Sequence, residues 1–468
     1  MKTPDNAFDA FEAKMRRAGL GEAAIRAFQH NYDSLVAGQT GLIPESAVQP
    51  VTDLPRLEDI ARDTRPDPKL FSRTAVLKLN GGLGTGMGLE RAKSLLEVKD
   101  GLTFLDFIAR QVLDLRRRHG GALRFLLMNS FSTSRDTLEF LKKYPELGAP
   151  ETLELMQSQA PKIDAQTLAP AVWPPNPKLE WCPPGHGDIY PSLLGSGWLA
   201  RLLSGGVKYL FVSNSDNLGA SLDPALLAWF AASGMPFLME VALRTPSDRK
   251  GGHLAKRGDK FLLRESAQCP KADEALFQDI QRHRFFNTNN LWVRLDPLQR
   301  LLEARGGFIP LPIIKNTKTV DPRAKDSPPV VQLETAMGAA IECFEGAGAV
   351  VVPRARFAPV KTTADLLGIR SDAYQVTEDW RVSLASHNTG AQPPAINLDA
   401  SHYKLVDQLD AKLANGVPSL KDCRELTIQG PVLLESGNVF QGKVRIANRS
   451  SEPRRLPPGQ YRDCSIDL

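Results

Sequence analysis

Cysteine is scarce in this chain. The five present, Cys182, Cys269, Cys343, Cys423 and Cys464, are scattered over 468 residues. No two have the spacing of a metal clip or redox pair, and an odd, dispersed set argues against a disulfide framework and for a reducing compartment. No apolar run is long enough to span a bilayer. The N-terminus carries Asp5, Asp9 and Glu12 without an apolar stretch behind them, so no signal peptide is expected. These absences predict a cytoplasmic protein with no membrane partner. A strong excess of one charge is lacking too. Lys and Arg number 58 against 53 Asp and Glu, a net +5 spread thinly, which suits small anionic substrates and argues against nucleic acid. The densest basic run, Arg116-Arg117-Arg118-His119, reads as the solvated end of a helix, where cations complement the dipole.

What is present has the balance of a globular protein, 42% hydrophobic and 24% charged, and the length asks for more than one packed unit. Residues 1–60 read as a helical segment, with Phe8, Phe11 and Met15 at helical spacing and a turn-rich connector from Pro44 to Pro55. From about 61 to 380, short apolar runs alternate with helical patterns. Val76–Leu79, Phe125–Met128, Tyr209–Val212 and Phe237–Val241 are buried-strand candidates. Thr103 to Arg118 is a helix capped by Thr103, with Asp106 three residues on and Phe104, Ile108, Val112 and Leu115 on one face. This order predicts an α/β domain on a mainly parallel, Rossmann-like sheet, with ligands beyond the carboxyl ends of its strands. Residues 381–400, with Pro393-Pro394, read as a linker. Residues 401–468 read as a helix from His402 to Leu413, then short β-prone pieces (Leu426–Ile428, Val432–Leu434, Val439–Phe440, Val444–Ile446) that suggest a small solenoid-like β unit.

The most informative stretch is Leu77-Lys78-Leu79-Asn80-Gly81-Gly82-Leu83-Gly84-Thr85-Gly86-Met87-Gly88, followed by Lys93-Ser94. A buried strand runs into a glycine-rich loop and then a lysine. Phosphate oxygens need close approach by backbone N–H groups, which a Cβ would prevent, and a mobile cation beside them. The spacing is neither of two familiar loops. No glycine directly precedes Lys93, as a Walker loop requires, since Ala92 stands there, and GxGxxG fails because Met87 and Leu89 stand where its last glycine belongs.

This loop resembles the signature of the eukaryotic-type UDP-glucose pyrophosphorylases, the UTP–glucose-1-phosphate uridylyltransferases. Further matches follow in order: Met128-Asn129-Ser130-Phe131, Pro184-Gly185-His186-Gly187-Asp188-Ile189-Tyr190, Ser213-Asn214-Ser215-Asp216-Asn217, Lys250-Gly251-Gly252, Phe286-Asn287-Thr288-Asn289-Asn290, Gln332-Leu333-Glu334-Thr335 and Pro359-Val360-Lys361-Thr362-Thr363. The resemblance is strong over about 70–370. It implies a nucleotidyltransferase core of the GT-A-like kind with a C-terminal left-handed β-helix. It also implies attack of glucose 1-phosphate on the α-phosphorus of UTP, giving UDP-glucose and pyrophosphate, with Mg²⁺ as cofactor.

The same resemblance assigns expected roles. Lys361 is the catalytic cation at the transferring phosphate, and Lys93 meets the β- and γ-phosphates. The backbone from Leu79, Asn80, Gly81 and Gly82 surrounds the nucleotide, Gln157 reads the uracil edge, and Gly185 lets the backbone approach the base. His186 and Asn214 contact the sugar phosphate, Asn289 and Asn290 the sugar hydroxyls, and Asp216 holds Mg²⁺. Glu265 and Lys250 are further candidates, for a sugar hydroxyl and a phosphate. The C-terminal β unit is an expected surface for self-association. Two departures stand out: Arg91-Ala92 replaces the family's Gly-Pro before the loop lysine, and Gln159-Ala160-Pro161 replaces basic and aromatic residues after Gln157-Ser158.

Overall fold

Alternation along the apolar runs decides the layering. Ala75 and Leu77 pack on one side of the sheet and Val76 on the other; Leu126 and Met128 oppose Phe125 and Leu127, and Leu210 and Val212 oppose Phe211. Runs that are apolar on both faces need cover on both, and helices supply it. The computed structural model, which describes residues 8–324, 326–385 and 392–468, builds these runs into a ten-stranded sheet. Its parallel part orders Glu154–Met156, Arg124–Asn129, Thr74–Asn80 and Tyr209–Asn214 side by side.

The other half departs from the mainly parallel expectation. The ten-residue strand Phe285–Arg294 runs antiparallel to Tyr209–Asn214 and to Phe237–Leu243. Gly348–Val351 then adds in parallel to Phe237–Leu243, while the hairpin His253–Arg257 and Lys260–Arg264 attaches at the start of the long strand. Asn287-Thr288-Asn289-Asn290 breaks the apolar alternation of that strand, so its direction is not legible locally. The sheet is mixed because the Phe285 strand enters from the hairpin side rather than through a helical crossover.

The helix expected from Thr103 is present as Phe104–His119, with Thr103 and Asp106 forming a reciprocal capping box and Gly120 ending it in the left-handed region. Phe104, Phe107 and Ile108 are fully buried under the sheet. The basic run closes the helix as expected. Arg116 donates to the carbonyls of Leu123, Glu146 and Leu147, while Arg117 and Arg118 pair with Asp114. At the N-terminal end, helices Asp9–Arg17 and Glu22–Val36 meet through Phe11, Phe28 and Tyr32 and pack on Ile163, Val331 and Leu333.

Beyond residue 394 the chain builds a second, parallel sheet. Ala395–Leu398, Ser419–Gln429, Asn438–Ala447 and Gly459–Asp467 lie in order. The pieces Val439–Phe440 and Val444–Ile446 belong to one strand. Leu426, Val444 and Cys464 sit in register across three of the strands. The helix read over His402–Leu413 is two short ones, Ala400–Tyr403 and Val406–Lys412. Ala395–Leu398 is a strand within the stretch read as linker, and 386–391 of that stretch lies outside the described residues. Leu409, Leu420, Leu426 and Val444 share one apolar cluster with Val98, Leu366 and Leu367 of the larger unit, so the two sheets bury a continuous core. Among the described residues, no helix is long and apolar enough to cross a membrane.

Candidate functional site

Three neighbouring parallel strands end in asparagine. Asn80 pairs in register with Asn129, and Asn214 pairs with Leu79 one step away. The Asn80 and Asn129 amides are spent inside the protein. Asn80 Nδ2 donates to Asn129 Oδ1 at 2.7 Å and Thr137 Oγ1 at 2.9 Å, and Asn129 Nδ2 donates to Glu154 Oε1 at 2.7 Å. Asn80 thus commits its Nδ2 to the protein interior. These bonds hold the strand ends level, and the glycine-rich loop rises from that edge.

The loop is pinned rather than slack. Lys93 N–H donates to the Gly82 carbonyl at 3.1 Å and closes it. Met87 is buried as its anchor, and Gly84 and Gly88 adopt φ of 71° and 79°, a region that disfavours other residues. Gly81 faces Gln157 closely: a Cβ there would stand 2.6 Å from Gln157 Oε1. The Gln157 amide in turn donates to the Gly185 carbonyl at 2.9 Å, and Ser130 Oγ donates to the Gly81 carbonyl at 2.8 Å. The structure thus brings together Gly81, expected around the nucleotide, and Gln157 and Gly185, expected at the base. Gly185 has φ of 80°, and a Cβ on it would collide with the Thr335 carbonyl.

His186 follows on a single turn. Its Nδ1 accepts the Met337 N–H at 2.9 Å, which places the ring proton on Nε2 as a free donor. Burial pushes its pKa down to about 4, so the imidazole is neutral at physiological pH.

The second gathering joins three distant segments. Lys93 Nζ forms an ion pair with Asp216 Oδ2 at 2.6 Å and also donates to the Val360 carbonyl. Val360 N–H donates to the Asp216 carbonyl at 3.2 Å, and Asn217 bridges Pro359. Lys361 is exposed one residue on. Its N–H donates to Asp365 Oδ2 at 2.9 Å, inside the capping box that opens helix Thr363–Arg370. Lys361 and Lys250 line one cleft of about 620 Å³, with Thr245, Phe286 and Ile396.

The third gathering is on the long strand. Its pairing slips opposite Glu240 and Val241, leaving Thr288 and Asn289 as the bulge. Asn289 takes φ of 59° and exchanges two hydrogen bonds with Asn287, at 2.9 and 3.0 Å. A non-glycine residue held there is strained, and such strain gathers at ligand sites. Glu265 lies against Gly252 and near Asn287 and Lys361. Burial raises its pKa, while Lys361 and Asn287 lower it. Asn290 sits elsewhere. Its side chain is fully buried and Nδ2 donates to Glu240 Oε2 at 2.9 Å, on the side of the strand away from Asn289.

Glu240 opens a set of residues that motif reading missed. It also accepts from Trp292 Nε1 at 2.9 Å and from Arg356 at 3.0 and 2.7 Å. Arg356 passes on to the Ser221 carbonyl, Asn217 donates to the Arg356 carbonyl, and Lys78 Nζ donates to the Ala220 carbonyl at 2.6 Å. This buried network ties the loop after Asp216 to the segment leading to Lys361. Burial, aided by Arg356 and opposed by Glu240 and Asp216, lowers the Lys78 pKa to about 7. Its signal was visible in the sequence: Lys78 and Glu240 are lone charges inside apolar strands, which are retained only when partnered.

A divalent cation fits one position. Asp216 Oδ1 is buried with no hydrogen-bond partner, the mark of a carboxylate oxygen awaiting a ligand. Among the described residues no three His, Cys, Asp or Glu converge on a metal position.

The family model for UTP–glucose-1-phosphate uridylyltransferase matches residues 25–441. The chain belongs to this family. Among the uridylyltransferases, the potato (Solanum tuberosum) protein is 39% identical over 430 residues, covering 91% of this chain and 88% of its own. The structure of a UDP-glucose pyrophosphorylase mutant from Leishmania major in complex with UDP-glucose superposes with a TM-score of 0.95 at 49% identity over the whole of both chains. A Trypanosoma brucei UDP-glucose phosphorylase superposes at 0.92 with 47% identity, over 99% of this chain and 100% of its own. The likeness spans both sheets, and every gathering described above lies within the span of this uridylyltransferase family model.

Proposed function

We propose that this chain joins UTP and glucose 1-phosphate to give UDP-glucose and pyrophosphate, by in-line attack of the sugar phosphate on the α-phosphorus. The observation that carries the reading is the meeting of Lys93, Asp216 and the Val360–Lys361 backbone, from three segments, beside a closed glycine loop. Both reactants are polyanions, so catalysis consists of neutralising charge and holding the reactants in line. At 4 Å and an effective dielectric of 20, one cation facing one phosphate charge is worth roughly 4 kcal/mol.

Gly81, Gln157 and Gly185 form the base end of the site, with uracil exchanging hydrogen bonds with the Gln157 amide. Lys93 takes the β- and γ-phosphates. Lys361 faces the transferring phosphate, with Lys250 as a second cation in the same cleft. Neutral His186 donates from Nε2 to a phosphate or hydroxyl oxygen without adding charge. Asn214, at the end of its strand, completes the sugar-phosphate contacts. Asn289 supplies the sugar hydroxyls with an amide that both donates and accepts, and Asn287 and Glu265 stand behind it. Asn290 acts by holding Glu240. Mg²⁺ held by the free oxygen of Asp216 would draw charge off the leaving pyrophosphate.

Parallel strands stacked in register support a left-handed β-helix for the C-terminal unit. Its last strand, Gly459–Asp467, lies at the edge of that sheet, which supports self-association there; light scattering showing a monomer at all concentrations would remove that part. Five free cysteines support a cytoplasmic site of action. The test of the whole reading is pyrophosphate release from UTP and Mg²⁺, with and without glucose 1-phosphate. Release that needs the sugar phosphate and falls by roughly 10²-fold or more in Lys361→Ala is expected. No release with any hexose 1-phosphate would leave a binding protein on this fold.

A further inference from the structure

Lys93 and Lys99, on one short stretch, grip the Lys361 segment at its two ends. Lys93 donates to the Val360 carbonyl, just before Lys361. Lys99 Nζ donates to the carbonyls of Ile369 at 3.0 Å, Arg370 at 3.3 Å and Ser371 at 2.7 Å. Those groups close helix Thr363–Arg370, whose first turn carries Lys361 on the Asp365 carboxylate. The last carbonyls of a helix have no partner within it, and a cation there also meets the negative end of its dipole. Lys99 stands on a firm base. Its neighbour Val98 is fully buried in the main core, and strand Glu97–Lys99 pairs with Leu102–Thr103, which caps the Phe104–His119 helix. Arg370 adds a bond to the Glu97 carbonyl and an ion pair with Asp410.

The two grips differ in what a substrate does to them. Lys93 is the lysine placed against the β- and γ-phosphates, so a triphosphate draws its ammonium away from Val360 and Asp216. Lys99 is at the far end of the helix and has no such competitor. We propose that Lys99 is a positioning residue for uridylyl transfer, holding the Lys361 helix in place once the nucleotide has taken Lys93. The proposal rests on reading Lys361 as the cation at the transferring phosphate.

The experiment uses the full-length enzyme with UTP, Mg²⁺ and glucose 1-phosphate, comparing Lys99→Met, Lys99→Arg, Lys361→Ala and the Lys99→Met/Lys361→Ala double variant. Lys99→Met is expected to lower kcat about tenfold or more, since small misplacements of a catalytic group are costly, with KM for both substrates nearly unchanged. Lys99→Arg should recover most of the loss, because a guanidinium reaches the same carbonyls. In the Lys361→Ala background, Lys99→Met should change the residual rate less than about twofold, as expected of two residues acting as a unit. Amide exchange over 363–371 supplies a second readout: Lys99→Met should resemble wild type without UTP and exchange faster with it. A wild-type kcat in Lys99→Met, an equal fall in both backgrounds, or faster exchange in both nucleotide states would overturn the proposal, the last by reducing Lys99 to a structural cap. A wild-type rate in Lys361→Ala would instead remove the role given to Lys361, and this inference with it.

Discussion

Ala92 takes φ of −51°, inside the range that a proline ring imposes. The family pattern has proline at this position, and the loop keeps that backbone geometry without it. Ala92→Pro is therefore expected to raise stability by about 0.4–1 kcal/mol, by narrowing the unfolded ensemble, with kcat close to wild type; thermal unfolding and initial rates check it. His186 makes a different prediction. Its pKa of about 4 comes from burial, so it contributes no titration limb to kcat/KM near neutral pH. His186→Asn should lower kcat/KM for glucose 1-phosphate by roughly 10²-fold while leaving the shape of the pH profile above about pH 5.5 intact. A profile that loses a limb near neutrality in the variant would show that the ring is charged in the working enzyme. At this scale the sequence was informative about the loop, because strand, glycines and lysine are contiguous. It was silent on the burial of Asn290, since that follows from Glu240, which the neighbouring strand brings against its amide from fifty residues away.

The elements that hold the site depend on a buried charge network. Glu240 and Arg356 are both nearly inaccessible and pair with each other; Glu240 also accepts from Asn290 and Trp292, and Arg356 donates to the Ser221 carbonyl. Arg356→Met leaves Glu240 buried beside Trp292 and Asn290 without its counter-charge. It is expected to cost about 3–5 kcal/mol in denaturant unfolding, as for other broken buried pairs. Removing the exposed Lys142–Glu139 pair should cost at most about 1 kcal/mol. The parallel strands and the Thr103 helix were legible from apolar alternation and a capping pattern. The antiparallel Phe285–Arg294 strand was not, because asparagines interrupt its apolar run and local sequence does not encode strand direction. The grouping of Lys93, Asp216 and Val360 likewise follows from pairing between segments more than a hundred residues apart, which no local pattern contains.

At the scale of the molecule, acid should unfold this protein through its interior. His253 is fully buried, stacked at 4.0 Å on His283 and packed on Phe277, and neither of its ring nitrogens has a partner. His283 meets Glu45, while Arg264, Arg282 and Arg244 stand around the pair. Burial holds both histidines below their ordinary pKa; the neighbouring arginines add to it, and Glu45 opposes it at His283. The unfolded chain therefore binds more protons than the folded one below the ordinary histidine value of about 6.5. Stability is intact above that value and falls as pH drops through it. Glu45, held below the usual carboxylate range mainly by hydrogen bonds from Arg282 and Arg264 against the effect of burial, adds a further loss at lower pH. Thermal unfolding should show Tm falling between about pH 7.5 and about pH 5.5, with the fall reduced in His253→Phe. An unchanged slope in that variant would assign the acid limb to other groups.

Sequence alone determined the family, the glycine loop and the parallel half of the sheet, and it singled out Lys93 and Lys361 as the cations to propose for the site. Each of these is written in contiguous residues whose spacing or resemblance carries the physics directly. Tertiary structure decided the mixed character of the sheet, the burial of Asn290 and the tautomer of His186. It also decided the Glu240–Arg356 network beneath Asp216 and the hold of Lys99 on the Lys361 helix. These depend on which distant segments meet, and a carbonyl or carboxylate acquires its partner only when the chain has closed around it.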